Sequence, residues 1–246
     1  QVKDGQAHAV LSAGNTGALM AIARFVLKTL DGIDRPAITA TVPSRHRPVV
    51  LLDMGANLEC TPEYLVQFAV MGDAYARAVQ GIAAPRIGLL NVGSEDMKGH
   101  DEVKEAHRML RSGNVPVEYH GFVEGNDILE GTTDVVVTDG FTGNIALKTA
   151  EGVSRLMYST LKSAIENSWS AKIGYLLARP AIRMAMKRFD PGRLNGAILL
   201  GLNGIAVKSH GGADAKGFAN AIRVAISLVD EKVNDKISEE LRETAA

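Results

Sequence analysis

Cysteine is nearly missing from this 246-residue chain: Cys60 is the only one. That excludes a disulfide framework and any multi-cysteine metal cluster, and it suits a reducing cytoplasm. Cys60 itself reads as a small packing residue. No apolar run is long enough to span a bilayer, and no signal peptide stands at the start. Neither sign of charge is in excess: 27 Lys and Arg stand against 28 Asp and Glu, for a net charge of −1. A nucleic-acid binder would carry a basic footprint, so no nucleic-acid partner is expected. Familiar catalytic signatures are missing too. No Gly-x-Gly-x-x-Gly follows a strand, and the turn at Gly143-Asn144 is not a phosphate-binding P-loop. There is no His-Glu-x-x-His and no Gly-x-Ser-x-Gly elbow. The six histidines are dispersed. Dinucleotide, metal-hydrolase and serine-hydrolase chemistry are therefore poor matches, and neither a metal nor a cofactor is expected.

With 46% hydrophobic residues, the chain can bury the core of one large α/β domain, or of one domain with a subdomain. One unit recurs: a short apolar run, a polar glycine-bearing turn, then a helical pattern. The runs are His8–Leu11, Val49–Leu52, Arg86–Leu90, Val117–Phe122 and Asp134–Thr138, with a closing pair at Ala197–Leu202 and Ile205–Lys208. The turns that follow carry Gly14-Asn15-Thr16-Gly17, Asp53-Met-Gly-Ala-Asn57, Asn91 to Gly99 with Lys98, Glu124 to Asp127, Asp139 to Asn144, and Ser209-His210-Gly211-Gly212. Thr61-Pro62-Glu63 is a helix start, cap plus proline at the first helical position, and that helix should run to about Gln80. A further helix is expected over Asp101–Arg111. Pro36, Pro43 and Pro48, with Arg45, His46 and Arg47 among them, punctuate a loop or edge-strand region. The residues from Ser238 onward are expected to fray.

Buried strands alternating with helices imply a doubly wound, mostly parallel sheet in a three-layer α/β/α sandwich. Right-handed crossovers would then gather the strand-end turns on one rim. Asn15, Asp53, Asn57, Lys98, Glu124, Asp139 and Asn144 are expected neighbours there, with His210 beside them. The turn from Asp139 to Asn144 is the sharpest feature. Its glycines permit close backbone approach, and free N–H groups at a helix start favour an anion. Thr142, Asn144 and Lys148 add polar groups. The alternative for this stretch is an ordinary capped strand-to-helix turn.

Glu151 to about Arg188 reads as helical, with Pro180 expected to kink or divide it. Ile173, Leu176 and Leu177 form an apolar face bordered by Arg179, Arg183 and Lys187. Such a face suits an anionic membrane surface, an acidic protein partner, or packing on the body or on a second subunit.

Several segments, taken together and in order, resemble the PlsX family, the bacterial acyl-carrier-protein:phosphate acyltransferases of phospholipid synthesis. They are Ser12–Met20, Leu52–Asn57, Gln67–Gly72, Gly88–Gly93, Thr138–Asn144 with Leu147-Lys148-Thr149, and Val207–Gly211. The resemblance covers nearly the whole chain. It implies a fold like phosphotransacetylase and isopropylmalate dehydrogenase, a homodimer, and a cytoplasmic protein peripherally associated with the membrane. It also implies an acyl phosphate product that feeds the glycerol-3-phosphate acyltransferase. Family members begin with a strand carrying a Val-Asp-Ala-Met-Gly-Gly-Asp type motif, which is not here. The first ten residues read like a helix end running into a strand, as in a chain opened in mid-domain. The expectation is thus a single, amino-terminally incomplete acyltransferase domain over 1–246, with a helical subdomain at about 151–190.

On this reading, phosphate attacks the thioester of an acyl carrier protein. Lys98 is assigned to charge stabilisation and phosphate contact. Asn144 and the turn amides from Gly140 to Asn144, with Gly140, Thr142 and Gly143 foremost, are assigned to the oxyanion or to phosphate. Asn15, Asn57 and His210 are candidates for orienting substrate, and Asp53 and Asp139 for fixing the turns or orienting Lys98. Competing readings are a short-chain phosphotransacetylase using coenzyme A, a dehydrogenase of the isopropylmalate type, and a noncatalytic scaffold joining acyl carrier protein to membranes.

Overall fold

The computed structural model describes residues 1–186 and 195–245. In chain order the elements are β1 (Ala9–Ser12), α1 (Thr16–Leu27), β2 (Ala37–Val42), β3 (Val49–Leu52) and α2 (Pro62–Tyr75), which continues through a π-helical turn (Ala76–Gln80). Then come β4 (Arg86–Leu90), α3 (Asp101–Arg111), β5 (Glu118–Val123), α4 (Gly125–Glu130), β6 (Val135–Val137), α5 (Gly140–Glu166) and α6 (Trp169–Met186). The chain closes with β7 (Ala197–Leu200), β8 (Ile205–Lys208), α7 (Ala215–Asp230) and α8 (Val233–Ala245).

The strands are apolar without interruption because they are covered twice. In β3, Val50 and Leu52 enter one core while Val49 and Leu51 enter the other. In β6, Val135 and Val137 face the first core and Val136 the second. Helices α2, α3, α7 and α8 supply the first layer, for example through Phe68, Leu110, Leu228 and Ile237. The second layer draws on α1, α4 and α5 through Leu27, Ile128 and Leu147. Each aliphatic side chain of β3 is at most 1% exposed and contributes roughly 1.5–3 kcal/mol by leaving water. The three-layer expectation therefore holds.

The mostly parallel expectation holds for four of the seven strand pairings, but the strands do not all point one way. The eight-stranded sheet has the order β1-β8-β7-β2-β3-β6-β4-β5. From β3 across β6 and β4 to β5 every pairing is parallel, but β2 is antiparallel to both its neighbours, and β7 is antiparallel to β8. The sheet is mixed, and β1 and β8 run opposite to the β3–β5 block. Residues Ala37–Val42, placed in a loop or edge strand on the strength of the prolines, are in fact a central strand. Pro36 and Pro43 bound it rather than interrupt it, and Thr39 is fully buried within it.

Two helix boundaries also differ. Helix α6 passes through Pro180 without ending; the break falls at Asn167 and Ser168, where the Ser168 hydroxyl accepts from the Ala171 N–H. The proline sits on an exposed stretch, so the carbonyl it leaves unpaired can turn to solvent. Ser238 onward is part of α8, anchored by fully buried Ile237 against α2.

Candidate active site

The parallel block sets up one rim. At the end of β3 the Leu52–Asp53 peptide is cis, and the fully buried Asp53 carboxylate organises the loop that leads on to α2. It accepts from the N–H groups of Ile38, Gly55, Ala56 and Asn57 and from the Asn57 side chain, at 2.7–3.2 Å. Burial pushes its pKa up, and these donors pull against that shift. Asn57 also donates to Pro36 O and is itself buried. Its amide nitrogen is therefore committed to the scaffold.

Next to this loop, at the end of β6, α5 starts in near contact. The Gly140 N–H donates to Asn57 O at 2.7 Å. A Cβ at Gly143 would lie 1.9 Å from Asp53 O, so only glycine allows the approach. Asp139 caps the helix, accepting from the Thr142 N–H and hydroxyl, both at 2.7 Å. The Gly143 N–H goes to Asp139 O. The amides of Gly140, Thr142 and Gly143 are thus already paired within the chain. The capped-turn alternative describes these three amides. Asn144 is exposed, as Phe141 and Thr142 are, and it lies over Gly55, whose added Cβ would be 3.7 Å from Asn144 Cβ.

Lys98 comes from the loop after β4, the strand beside β6. Asn91 holds this loop by donating to Gly93 O and Lys98 O at 3.1 and 3.0 Å. The Lys98 ammonium pairs with Glu95 at 2.8 Å. That hydrogen bond, with Glu95's charge and then Glu124's, raises the Lys98 pKa, so the group is a fixed cation at neutral pH. Glu124, from the end of β5, faces the same cation. Asp53, Asn57, Lys98, Glu124, Asp139 and Asn144 therefore share one rim.

Asn15 and His210 do not. They follow β1 and β8, which run the other way, so they lie at the opposite end of the sheet. This corrects the single-rim expectation: burial periodicity reports that a strand is inside, not which way it points. Asn15 caps α1 by accepting from Ala18 N–H. His210 Nδ1 accepts from Gly212 N–H, and the His210 backbone N–H donates to Asn195 Oδ1. Beside it, Lys208 has its pKa lowered by burial and then by the charge of Lys148 on α5. Helix α5 starts on the first rim and carries Lys148 into the electrostatic reach of the second.

The bordered apolar face keeps its exposure: Ile173, Leu176, Leu177, Arg179 and Arg183 are all exposed on α6. Lys187 lies outside the described residues. Helix α5 adds exposed Leu156, Met157 and Tyr158. Among the described residues, no helix is long and apolar enough to cross a membrane. Sequence reasoning missed Glu95 as the partner of Lys98, Asn195 as the support of His210, and the Lys148–Lys208 proximity. The Asn195 support and the Lys148–Lys208 proximity depend on contacts that no local pattern encodes, whereas the Glu95–Lys98 pair spans only three residues and its charge spacing could have signalled it.

Comparison with known proteins bears on the family and the fold. A family profile described as fatty acid synthesis protein matches residues 1–236. The phosphate acyltransferase of Paramagnetospirillum magneticum is 59% identical over 239 residues, covering 97% of this chain and 68% of that protein. That of Granulibacter bethesdensis is 54% identical, over 97% of this chain and 65% of the relative. The chain thus spans about two thirds of the length of these relatives. Among solved structures, a phosphotransacetylase from Streptococcus pyogenes superposes with a TM-score of 0.61 at 21% identity, over 94% of this chain and 65% of that one. A branched-chain phosphotransacylase from Enterococcus faecalis gives 0.59 at 16% identity, over 93% and 76%; these two likenesses speak for the fold. The chain belongs to the fatty acid synthesis protein family, the family of the phosphate acyltransferases.

Proposed function

We propose that the protein transfers an acyl group from acyl carrier protein to inorganic phosphate, giving acyl phosphate and free carrier. The observation that carries this reading is the pairing of a fixed cation, Lys98, with the exposed Asn144 amide on one rim. It does so within a chain 59% identical to a phosphate acyltransferase. A phosphate oxygen attacks the thioester carbonyl and forms a tetrahedral oxyanion. The C–S bond then breaks, and the proton of hydrogen phosphate ends on the departing thiol. With a leaving-group pKa of roughly 8.5 the thiolate needs no strong general acid, and no enzyme nucleophile intervenes. The protein's part is to hold phosphate against the carbonyl and to meet the developing negative charge. Lys98 does the second by charge, Asn144 by its N–H donors. Gly140, Thr142 and Gly143 shape the turn that aims Asn144, with Asp53 and Asp139 beneath. Asn15 and His210 serve the opposite end, where Lys148 and Lys208 add positive charge.

The exposed apolar faces of α5 and α6 support a homodimer and peripheral contact with the membrane. Arg179 and Arg183 suit anionic headgroups or the acidic carrier protein. The acyl phosphate would pass to glycerol-3-phosphate acyltransferase. The α5–α6 pair forms the helical subdomain of a single acyltransferase domain.

The test is acyl-phosphate formation by the intact gene product with acyl-carrier and coenzyme A donors in parallel. Lys98→Ala should lower turnover at least about tenfold, the loss expected if it supplies more than ~1.4 kcal/mol in the transition state. Near-normal turnover would remove Lys98 from the reaction. Activity with coenzyme A alone would favour a short-chain phosphotransacetylase, and no product with either donor would favour a scaffold.

A further inference from the structure

His107 on α3 is 8% exposed, its ring stacked on Phe122 at 4.2 Å between centroids. Its Nδ1 is 2.7 Å from the Tyr119 hydroxyl. Its Nε2 is buried and has no hydrogen-bond partner among the described residues. A buried polar nitrogen without a partner is unusual and calls for a reason. The atom points toward the loop that carries Lys98: Asp96 Oδ1 is 3.7 Å away, and Arg111, one turn further along α3, reaches Asp96 Oδ2 at 3.5 Å. Because Nε2 faces the carboxylate, the tautomer that suits the site carries the ring's proton on Nε2, with the Tyr119 hydroxyl donating to Nδ1. A small swing of the exposed Asp96 side chain closes the gap.

We infer that His107 is a positioning residue: with Arg111 it holds Asp96, and so fixes the loop from Asn91 to Gly99 at the height from which Lys98 meets the substrate. At its base the loop continues the sheet, with the Asn91 N–H donating to Val123 O at 2.9 Å; beyond that base its anchors lie inside itself, through Asn91 to Gly93 O and Lys98 O and through Glu95 to Lys98. The inner contacts give the loop its shape but do not tie its outer part to a neighbouring element. The Asp96 contacts tie it to α3, and through His107 to the buried face of β5. Only Met97 separates Asp96 from Lys98, so a displacement at Asp96 is transmitted to the ammonium almost undiminished. This role rests on the reading of Lys98 given above.

The experiment is a double-mutant cycle on the intact gene product. His107→Phe keeps the ring stack and removes both nitrogens; Asp96→Ala removes the exposed end of the tether without touching the core. Each should lower kcat about tenfold through misplacement of Lys98 while leaving KM for the acyl donor within about twofold. Each should also speed amide hydrogen exchange over residues 92–99. In a Lys98→Ala background neither should lower kcat further, because the same contribution has already gone. Additive losses in that background, or unchanged exchange in the loop, would overturn the role of His107 while leaving Lys98 in place. Normal turnover of Lys98→Ala by itself would remove both.

Discussion

Replacing Gly143 with alanine sets helix propensity against packing, and the two predict opposite signs. Gly143 lies in the first turns of α5. Alanine inside a helix is worth about 0.5–1 kcal/mol over glycine, so propensity alone predicts a gain. The geometry predicts a loss. The new Cβ would stand 1.9 Å from Asp53 O, 2.8 Å from Thr138 Cγ2 and 3.1 Å from Asp53 C. Relieving the first contact to 3.0 Å means moving backbone by about 1.1 Å. The obstacle is a carbonyl held in the loop that the Asp53 carboxylate organises, so neither side yields cheaply. Overpacking of this kind costs typically ~1–3 kcal/mol, which exceeds the propensity gain. Gly152 is the internal control: it lies in the same helix, with nothing within 4 Å of its added Cβ. Urea unfolding should therefore show Gly143→Ala destabilised by about 1–2 kcal/mol net. Gly152→Ala should be stabilised by roughly 0.5–1 kcal/mol. In a chain of this size each kcal/mol moves Tm by about 2–4 °C. Equal midpoints for the two variants would refute the close approach of α5 to the Asp53 loop, and with it the aim of Asn144.

Other predictions concern titration and surfaces. Burial pushes the His107 imidazole below its ordinary value, with Arg111 reinforcing the shift and Asp96 opposing it. As pH falls through ~6.5 the unfolded chain takes up the proton first, so His107's contribution is fully present above that pH and is lost below it. Urea midpoints between pH 7.5 and 5.5 should fall more steeply for the native protein than for His107→Phe; parallel slopes would contradict the assignment. Burial, then the charges of Asp53 and Asp139, pushes the Cys60 thiol up to about 12. Alkylation by iodoacetamide at pH 8 should accordingly run orders of magnitude slower than for an ordinary thiol of pKa ~8.5, and a rate near that of free cysteine would show the site open. Leu176→Glu, on the exposed face of α6, should abolish cosedimentation with phosphatidylglycerol vesicles; retained binding would defeat membrane contact through this helix.

Much of the architecture is legible in the chain itself. Val49–Leu52 and the three valines of β6 announce strands covered on both sides, because a run without polar alternation has no face for water. Thr61 and Pro62 start α2 as cap and first helical residue, and α3 spans Asp101–Arg111 as the pattern indicates, since these signals act within a turn or two of backbone. The order of the glycine-bearing turns carries the family. Which turns meet is another matter. Periodicity encodes burial but not strand direction, so the antiparallel settings of β2, β7 and β8 put Asn15 and His210 at the far end of the sheet. The Gly140 amide, free in any local reading, is taken by Asn57, and the Asn57 side chain by Asp53 and by Pro36 O, 21 residues away. The unpartnered nitrogen of His107 exists only because β5, α3 and the Lys98 loop pack together. Local sequence determined which segments hide from water and how helices begin; long-range pairing decided which polar groups were left over to face a ligand.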